Sequence, residues 1–541
     1  MSTIPRLFLD QVRAKASDVA IHIKRDGQFA PLTWEEVGLD VRRYVAHLIE
    51  LGVGHGDRVV QFAENRYEWI LTDLALHMVG AIHVPVHSTL SGLQVVEQAI
   101  DSGAEILIVS TQELAEKLVT SSIPLPESIR VYSFDVVTSS SLAAAQFDQG
   151  EVDLTAALDL EASVAERVLP EHLATILYTS GTTGEPKGVM LNQHNLVTNS
   201  VGANNKIEQQ ESDLRLNMLP LSHIFARTAD LYSWIVGGSV LALAESRDTV
   251  IPDAQQIKPT VLNAVPYFYA RIQKALAEKG VADAPGAVNN LLGGRVRFCC
   301  SGGAPLTTPL YDYFKSQELP LLQGYGLTES SPVITVSSLS EDRRGAVGKP
   351  IEDVEIKIAA DGEVLTKGPH VMVGYWQNER ATNEVIKDDW LLTGDLGEID
   401  DDGYLYITGR KKELIVTATG KNVAPAYLEA LLVEDPVIAQ ALVIGDNRKF
   451  LTALIVPDPQ ALQNVVGEEG LADLNGSQVQ DAIGGRIAER LSQVAKNEQI
   501  GKFLVLSRPF SADRGELTAK LSLRRSVIHE HFAAEIESMY A

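Results

Sequence analysis

Cysteines and long apolar runs are scarce in this sequence, and basic residues are fewer than acidic ones. Only two cysteines occur among 541 residues, and they are neighbours, Cys299 and Cys300. Adjacent cysteines cannot build a disulfide framework or a zinc site, so we expect a protein of the reducing cytosol. Residues 295–301 (RVRFCCS) predict a buried strand in which both thiols act as small apolar fillers.

Basic residues are outnumbered, with 46 Lys and Arg against 71 Asp and Glu and a net charge of −25. This balance excludes broad nucleic-acid binding and polybasic attachment to an acidic bilayer, but not local binding of an anionic ligand. Residues 1–10 lack a signal-peptide core, and the longest apolar stretch, residues 231–244, is too short to span a bilayer. We therefore expect a cytoplasmic protein. Peripheral membrane contact at the inner surface and the oligomeric state stay open.

The length of the chain exceeds what one hydrophobic core supports, so several lobes are expected. Early in the chain, strand-like and helix-like segments alternate, which predicts a parallel sheet with covering helices. The predicted strands are residues 57–63, 81–85 and 105–110, and the predicted helices are an amphipathic one from an N-cap at Asn65 to about Met78 and one over residues 91–101. Residues 354–407 carry short strands and hairpin signals. A smaller α/β segment follows Arg410 and ends in a helix over residues 524–535.

Residues 178–188 (YTSGTTGEPKG) have the composition that an anionic triphosphate requires. Glycines let backbone N–H groups converge, hydroxyls donate further hydrogen bonds, and Lys187 supplies a point charge. The pattern is not a Walker loop, because no Gly-Lys-Ser/Thr closes it. A flexible surface linker is the alternative. A strand-like run over residues 174–178 and a helix-like run from Asn192 disfavour it, since linkers seldom lie inside a strand–helix unit.

This segment resembles the phosphate loop of the adenylate-forming (AMP-binding) superfamily, which includes acyl-CoA synthetases, firefly luciferase and peptide-synthetase adenylation domains. Further motifs follow in the family's order over residues 33–525. The resemblance implies an α/β fold with two domains. Residues 1–411 would form a large domain of parallel or mixed sheets with covering helices and a β-rich subdomain, which binds acid and ATP. Residues 412–541 would form a small mobile α+β domain.

The resemblance also implies ATP, Mg²⁺ and coenzyme A as ligands. The loop residues expected to hold the triphosphate, with Thr179 also a metal ligand, are Thr179, Ser180, Gly181, Thr182, Thr183, Gly184 and Lys187. Residues 323–329 (QGYGLTE) resemble a second family motif. There, Tyr325 beside Gly326 would stack on adenine, Thr328 would bond the α-phosphate, and Glu329 would hold Mg²⁺. An isolated glycine-rich turn is the alternative for this motif.

Three other motifs complete the expected nucleotide and thioester sites by resemblance. Residues 301–305 (SGGAP) place Gly303 and Ala304 at the adenine pocket. In residues 390–395 and 406–410, Asp395 would accept hydrogen bonds from the ribose hydroxyls and Arg410 would donate to the same sugar. Lys412 would be the hinge of the small domain. In residues 419–425 (TGKNVAP), Gly420 and Lys421 would approach the phosphopantetheine arm. Most relatives carry two glycines there, and Thr419 replaces the first.

Residues 219–227 (LPLSHIFAR) resemble the long-chain acyl-CoA synthetase form of the acid-side motif, with His223 beside the substrate carboxylate. Arg227 stands where some relatives carry a gating tryptophan, so aromatic gating is not predicted. Residues 259–269 run either along the acyl pocket or through the core, and the sequence leaves both open.

The adenylation lysine is displaced in residues 515–525 (GELTAKLSLRR). The family register puts Ser522 where lysine is expected, and Lys520 lies two residues earlier. Residues two apart in an extended segment point the same way, so we predict Lys520 as the catalytic lysine. A bystander role for this lysine is the alternative.

The sequence therefore predicts an ATP-dependent fatty acid–CoA ligase that forms an acyl-AMP and then a thioester. Two alternatives are a fatty acyl-AMP ligase that loads a carrier protein and a nucleotide- or acyl-binding homologue without turnover. The fatty acid, ATP and CoA would be its small-molecule partners.

Overall fold

A computed structural model describes residues 2–138, 142, 144–147, 153–180, 186–246, 248–418, 421–511, 514–517 and 523–541. The chain forms two compact units. The first comprises Met1–Gly303, Asp312–Ile356 and Leu365–Leu392, and the second comprises Ala304–Tyr311, Lys357–Val364 and Thr393–Ala541. In the described part of the chain, no helix is long and apolar enough to cross a membrane.

Two large mixed sheets organise the first unit. In one, eight strands lie in the order Gly374–Tyr375, Pro186–Asn192, Leu173–Ser180, Ile82–His87, Arg58–Ala63, Ile106–Val109, Arg130–Ser133 and Ala144–Gln146. In the other, nine strands lie in the order Lys349–Pro350, Val333–Val336, Leu321–Gly326, Phe298–Ser301, Val261–Ala264, Leu214–Asn217, Val240–Leu243, Val19–Arg25 and Gln28–Thr33. The central pairs of both sheets are parallel.

Helices cover these sheets. Over residues 1–392 they are Ile4–Ala14, Trp34–Glu50, Tyr67–Val79, Gly92–Ser102, Gln112–Val119, Thr155–Arg167, Gln193–Lys206, Ile224–Ala226, Ser233–Gly237, Val250–Ile257, Pro266–Glu278, Ala287–Leu291, Thr308–Ser316 and Glu379–Val385. A π-helical turn spans Arg227–Tyr232, and a 3₁₀ turn spans Thr328–Ser330. Reciprocal side-chain caps begin several helices. At Trp34–Glu50, for example, Thr33 accepts from the Glu36 backbone while Glu36 accepts from that of Thr33.

The helix Tyr67–Val79 differs from its prediction in two ways. Its N-cap is Arg66 rather than Asn65, because the Asn65 amide donates to Asn217 and to the Leu219 carbonyl instead. Every residue from Trp69 to Val79 is buried, so the helix is covered on all sides and is not amphipathic.

Short strands follow in a five-stranded sheet made of Glu355–Ile358, Glu363–Lys367, Ile386–Lys387, Trp390–Ile399 and Leu405–Arg410. A 3₁₀ turn over Lys411–Glu413 leads to two-stranded and three-stranded sheets made of Ile415–Val416 with Asn422–Val423, and of Ile438–Ile444, Leu451–Pro457 and Ile500–Val505. The C-terminal helices are Pro425–Val433, Pro459–Leu471, Ser477–Arg490, Arg525–His531 and Ala533–Tyr540, with a short 3₁₀ turn at Lys496–Glu498.

The predicted α/β class with mixed sheets and covering helices is confirmed, and so are the short strands after residue 354. The cysteine strand is Phe298–Ser301, in which both thiols are buried as predicted. The last predicted helix is broken at Phe532 into two. The domain boundary at residues 411/412 stays a prediction.

Candidate nucleotide and acyl site

The loop with the composition of a phosphate site is flanked by two antiparallel strands. Leu173–Ser180 and Pro186–Asn192 pair so that Thr179 lies opposite Lys187. The predicted helix does begin after Asn192, which caps it through Asn195, but the prediction of a direct strand–loop–helix unit is wrong. Both Thr179 and Lys187 are half-buried, one on each arm of the hairpin. Gly181, Thr182, Thr183 and Gly184 lie outside the described residues, and Ser180 ends the first strand opposite Pro186.

The second nucleotide motif ends a parallel strand and enters a 3₁₀ turn. The strand is Leu321–Gly326, and Thr328 and Glu329 lie half-buried in the turn Thr328–Ser330. A Cβ on Gly326 would lie 1.7 Å from the carbonyl oxygen of Pro332, so only glycine fits there. This close approach fixes the path by which the chain turns toward Glu329.

Tyr375 joins the two motifs. Its hydroxyl donates to Oε1 of Glu329 at 2.8 Å, and Nζ of Lys187 lies 5.0 Å from the centre of its ring. In the part of the chain that the structure describes, no other hydrogen bond reaches the Glu329 carboxylate. A cation and an anion thus face the same aromatic residue, and we call Lys187, Glu329 and Tyr375 the Tyr375 cluster.

The predicted adenine and acid motifs lie at the ends of neighbouring strands. Tyr325 is half-buried and packs against the core around Val336. Gly303 is in the left-handed region, with a φ of 77°. His223 caps a short helix, where its Nδ1 accepts from the backbone N–H of Phe225 at 3.2 Å. The Phe225 ring lies against Gly302, where an added Cβ would come within 2.9 Å of it. The structure therefore brings the His223 motif to the strand end that carries Gly303.

Arg227 is a fully buried residue in the π-helical turn. Its guanidinium donates to Oδ1 of Asp73 at 2.5 Å and to the hydroxyl of Thr175 at 2.9 Å. His83 and Tyr232 also hydrogen-bond Asp73, at 2.7 and 3.2 Å. Burial is the largest single influence and raises the pKa of Asp73, but Arg227, His77 and His83 together outweigh it and hold that pKa well below its usual range.

His77 completes this group, which we call the Asp73 cluster: Asp73, His77, His83, Arg227 and Tyr232. Nδ1 of His77 accepts from the amide of Gln193, so its Nε2 donates to Tyr232. Burial lowers the pKa of His77 to about 4. This ring is therefore neutral at neutral pH, and Arg227 is the cation that balances Asp73.

The aromatic residues of the segment 259–269 divide between core and surface. Tyr269 is fully buried, and its hydroxyl donates to the carbonyls of Leu262 and Cys300, both at 2.8 Å. Tyr267 is 55% exposed. Tyr269 is thus a core residue, held by the ends of two parallel strands.

The residues predicted to bind the ribose pair with each other. Asp395 and Arg410 are register partners in an antiparallel hairpin, and Nε of Arg410 donates to Oδ1 of Asp395 at 2.6 Å. The Asp395 side chain is buried, whereas that of Arg410 is 44% exposed. Ala304 is half-buried, next to the exposed Gly303 in the chain.

The residues predicted for the second half-reaction are only partly described. Lys412 is exposed in the turn Lys411–Glu413. The backbone carbonyl of Lys421 accepts from the Thr417 backbone N–H, and the Lys421 backbone N–H donates to the Thr417 hydroxyl. Gly420 and Lys520 lie outside the described residues.

The segment that contains Lys520 is flanked by a buried carboxylate. Glu516 accepts from Arg508 at 2.8 Å, from Arg514 at 3.1 Å and from the backbone of Ser511 at 3.1 Å. Its own carbonyl accepts from the backbone of Arg524 at 2.8 Å, beyond an isolated antiparallel bridge between Leu517 and Leu523. Both ends of the segment are therefore fastened at one place.

Sequence reasoning missed Tyr375 and Glu516. Tyr375 belongs to the short strand Gly374–Tyr375, which pairs with the strand Pro186–Asn192. A glycine–aromatic pair among short strands was its only signal. Glu516 gave none, because acidic residues beside arginines are usually solvated.

Known proteins resemble the chain over most of its length. Residues 8–376 match the AMP-binding enzyme family, and residues 412–541 match the AMP-binding enzyme C-terminal domain. The long-chain-fatty-acid–CoA ligase FadD15 of Mycobacterium bovis is 35% identical over 95% of this chain and 93% of its own.

Solved structures share the fold. O-succinylbenzoate coenzyme A synthetase from Bacillus subtilis, in complex with ATP and magnesium ion, aligns with a TM-score of 0.72 at 26% identity, over 96% of this chain and 98% of its own. The anthranilate CoA ligase AuaEII, in complex with anthranoyl-AMP, aligns with a TM-score of 0.79 at 20% identity, over 99% of this chain and 98% of its own. With its family match covering residues 8–376, the chain belongs to the AMP-binding enzyme family.

Proposed function

We propose that this protein is an AMP-forming acid–thiol ligase that activates a long-chain fatty acid with ATP and transfers the acyl group to coenzyme A. The observation that carries this proposal is the Tyr375 cluster. Lys187 and Glu329, from two nucleotide motifs far apart in sequence, lie half-buried around one tyrosine. A lysine and a metal-binding carboxylate around one centre suit a Mg²⁺-bound triphosphate.

The donor set around Glu329 fits magnesium. Mg²⁺ is usually held by one or two carboxylates together with substrate phosphates and waters. Tyr375 occupies one carboxylate oxygen of Glu329, which leaves the second for the ion, and the hydroxyl of Thr179 is the other predicted ligand. When bound, Mg²⁺ would neutralise charge on the triphosphate.

In the first step, a carboxylate oxygen of the fatty acid attacks the α-phosphorus of ATP. The bond from that phosphorus to the bridging oxygen breaks, and pyrophosphate leaves. Lys187 would hold the β- and γ-phosphates, Thr328 and Lys520 the α-phosphate, and His223 the acid. Tyr325 with Gly326, Gly303 and Ala304 would bind adenine, and Asp395 with Arg410 would bind the ribose.

In the second step, the thiolate of coenzyme A attacks the acyl carbonyl, and AMP leaves as the carbon–oxygen bond breaks. The C-terminal domain over residues 412–541 would turn about Lys412 and present Gly420 and Lys421 to the phosphopantetheine arm. No protein nucleophile takes part in either step, so catalysis rests on positioning and charge neutralisation.

Pyrophosphate release from ATP and palmitate tests the proposal. We expect release that depends on Mg²⁺ and an acyl-CoA product when coenzyme A is added. Acyl-AMP that accumulates and is not consumed by coenzyme A would favour a ligase that loads a carrier protein. ATP binding without pyrophosphate release would indicate a non-catalytic homologue. A panel of acids from acetate to oleate would measure the chain-length preference.

A further inference from the structure

The backbone of Tyr375 is tightly constrained beside the phosphate-loop hairpin. Gly374 pairs with Met190 and Tyr375 with Val189 on the strand Pro186–Asn192. The backbone N–H of Tyr375 donates to the hydroxyl of Thr382 at 2.8 Å, and that of Trp376 donates to the Gly188 carbonyl at 2.7 Å. Tyr375 is therefore held two register positions from Lys187, and the residue as a whole is 7% exposed.

The side chain of Tyr375 makes a different contact with each charged neighbour. Its hydroxyl donates to the Glu329 carboxylate, and its ring lies below the Lys187 ammonium. The phenol is the donor in this hydrogen bond, because a carboxylate oxygen accepts.

An ammonium and a carboxylate that contact the same residue could pair and neutralise each other. Among the ion pairs of the described residues, none joins Lys187 to Glu329. The ring of Tyr375 gives Lys187 a cation–π partner in place of an anion, and its hydroxyl satisfies one oxygen of Glu329 without adding charge. Both charges are thereby kept for ligands.

We propose that Tyr375 is a positioning residue for adenylation, which holds Lys187 and Glu329 apart so that one binds phosphate and the other binds the metal. This inference rests on the proposed function and adds to it a residue outside the loop and turn motifs. It predicts that the phenol hydroxyl chiefly affects the metal and that the ring chiefly affects the triphosphate.

Two substitutions separate these contacts. Tyr375→Phe keeps the ring over Lys187 and removes the hydrogen bond to Glu329. We expect about a tenfold higher KM for Mg²⁺ and a pyrophosphate-forming rate lowered about tenfold. Tyr375→Leu also removes the ring, so Lys187 can reach Glu329. We expect about a hundredfold loss of rate and a raised KM for ATP as well as for Mg²⁺.

Measuring the thioester-forming step, together with a matched control variant, excludes a merely structural effect. Supplied acyl-AMP and coenzyme A bypass the triphosphate, so both variants should form thioester within about twofold of the wild-type rate. Tyr67→Phe removes another tyrosine–carboxylate hydrogen bond, to Asp40 at 3.0 Å, and should leave the KM for Mg²⁺ unchanged. Thermal unfolding checks that all three variants fold.

The outcomes distinguish this inference from the proposed function. If the wild type releases no pyrophosphate, the proposed function fails. If the wild type is active and Tyr375→Phe keeps its KM for Mg²⁺, the positioning role of Tyr375 is overturned. Equal losses in both half-reactions would also overturn it, because they would show general damage to the unit.

Discussion

The Asp73 cluster and the Tyr375 cluster of the first unit contain the same kinds of residue but pair their charges differently. In each, a tyrosine hydroxyl donates to a carboxylate, Tyr232 to Asp73 and Tyr375 to Glu329. In each, a cation lies over an aromatic ring, with Arg227 5.4 Å from that of Tyr232 and Lys187 5.0 Å from that of Tyr375.

The two clusters differ in whether the cation reaches the carboxylate. Arg227 bonds Asp73 directly, and both side chains have no exposed surface. Lys187 and Glu329 remain half-buried and are separated by the tyrosine. A carboxylate that already bonds its own cation is occupied within the fold, whereas a cluster with unused charge can bind a ligand. Exposure and pairing, rather than residue type, therefore distinguish structural from functional charge.

Removing the cation of the Asp73 cluster should have the largest effect on stability. Arg227→Met leaves the Asp73 carboxylate buried without its counter-charge, which costs about 3–5 kcal/mol of unfolding free energy. Urea unfolding measures this loss. Adding Asp73→Asn should restore a substantial part of it, because neither charge then remains. A double variant as unstable as the single one would contradict the role of this ion pair.

The equivalent change in the Tyr375 cluster should reduce activity and leave stability almost intact. Lys187→Ala removes the half-buried charge that we propose binds the phosphates, so pyrophosphate release should fall by about 10²–10³. The unfolding midpoint should stay close to that of the wild type. Lys502→Ala is the matched control, since Lys502 also lies over an aromatic ring, 6.0 Å from that of Phe450 in the second unit. Full activity in Lys187→Ala would remove this residue from the proposed site.

The sequence predicted those features that depend on neighbouring residues. It did not predict the features that depend on contacts between residues far apart in the chain. The alternation of strands and helices indicated the parallel sheets, which the structure confirms. The phosphate loop that glycines and hydroxyls indicated stays a prediction. The strand Pro186–Asn192 was missed because its first three residues, Pro-Lys-Gly, resemble a loop, and only the pairing with Leu173–Ser180 makes them a strand.

Burial of charge was the least predictable property. Nothing in the sequence around Arg227 indicated that it would be buried and would hydrogen-bond Asp73, which lies 154 positions away. Tyr375 lies 46 positions from Glu329. Such contacts depend on which strands become neighbours, and periodicity does not report strand order. The roles of the individual site residues stay predictions.

The smallest expected effect concerns the pH dependence of the Asp73 cluster. Burial lowers the pKa of His77 to about 4. Between pH 6.5 and 4 the unfolded chain therefore binds a proton at this residue, whereas the folded chain does not. The free energy of unfolding should thus fall by about 2–3 kcal/mol as the pH drops from about 6.5 to 4. Urea unfolding of His77→Gln should show a shallower decline over this window. Parallel curves for the two proteins would count against a buried neutral His77.

The contacts of Glu516 and Leu517 fasten both ends of the segment in which the adenylation lysine is expected. The chain enters at Leu517 and leaves at Leu523, where the two residues bridge, and the Glu516 carbonyl is tied to Arg524. Positions 520 and 522 both belong to the span between these fastened ends. A change of side chain at position 520 or 522 therefore leaves unchanged the two contacts that fasten the ends, Leu517 with Leu523 and Glu516 with Arg524.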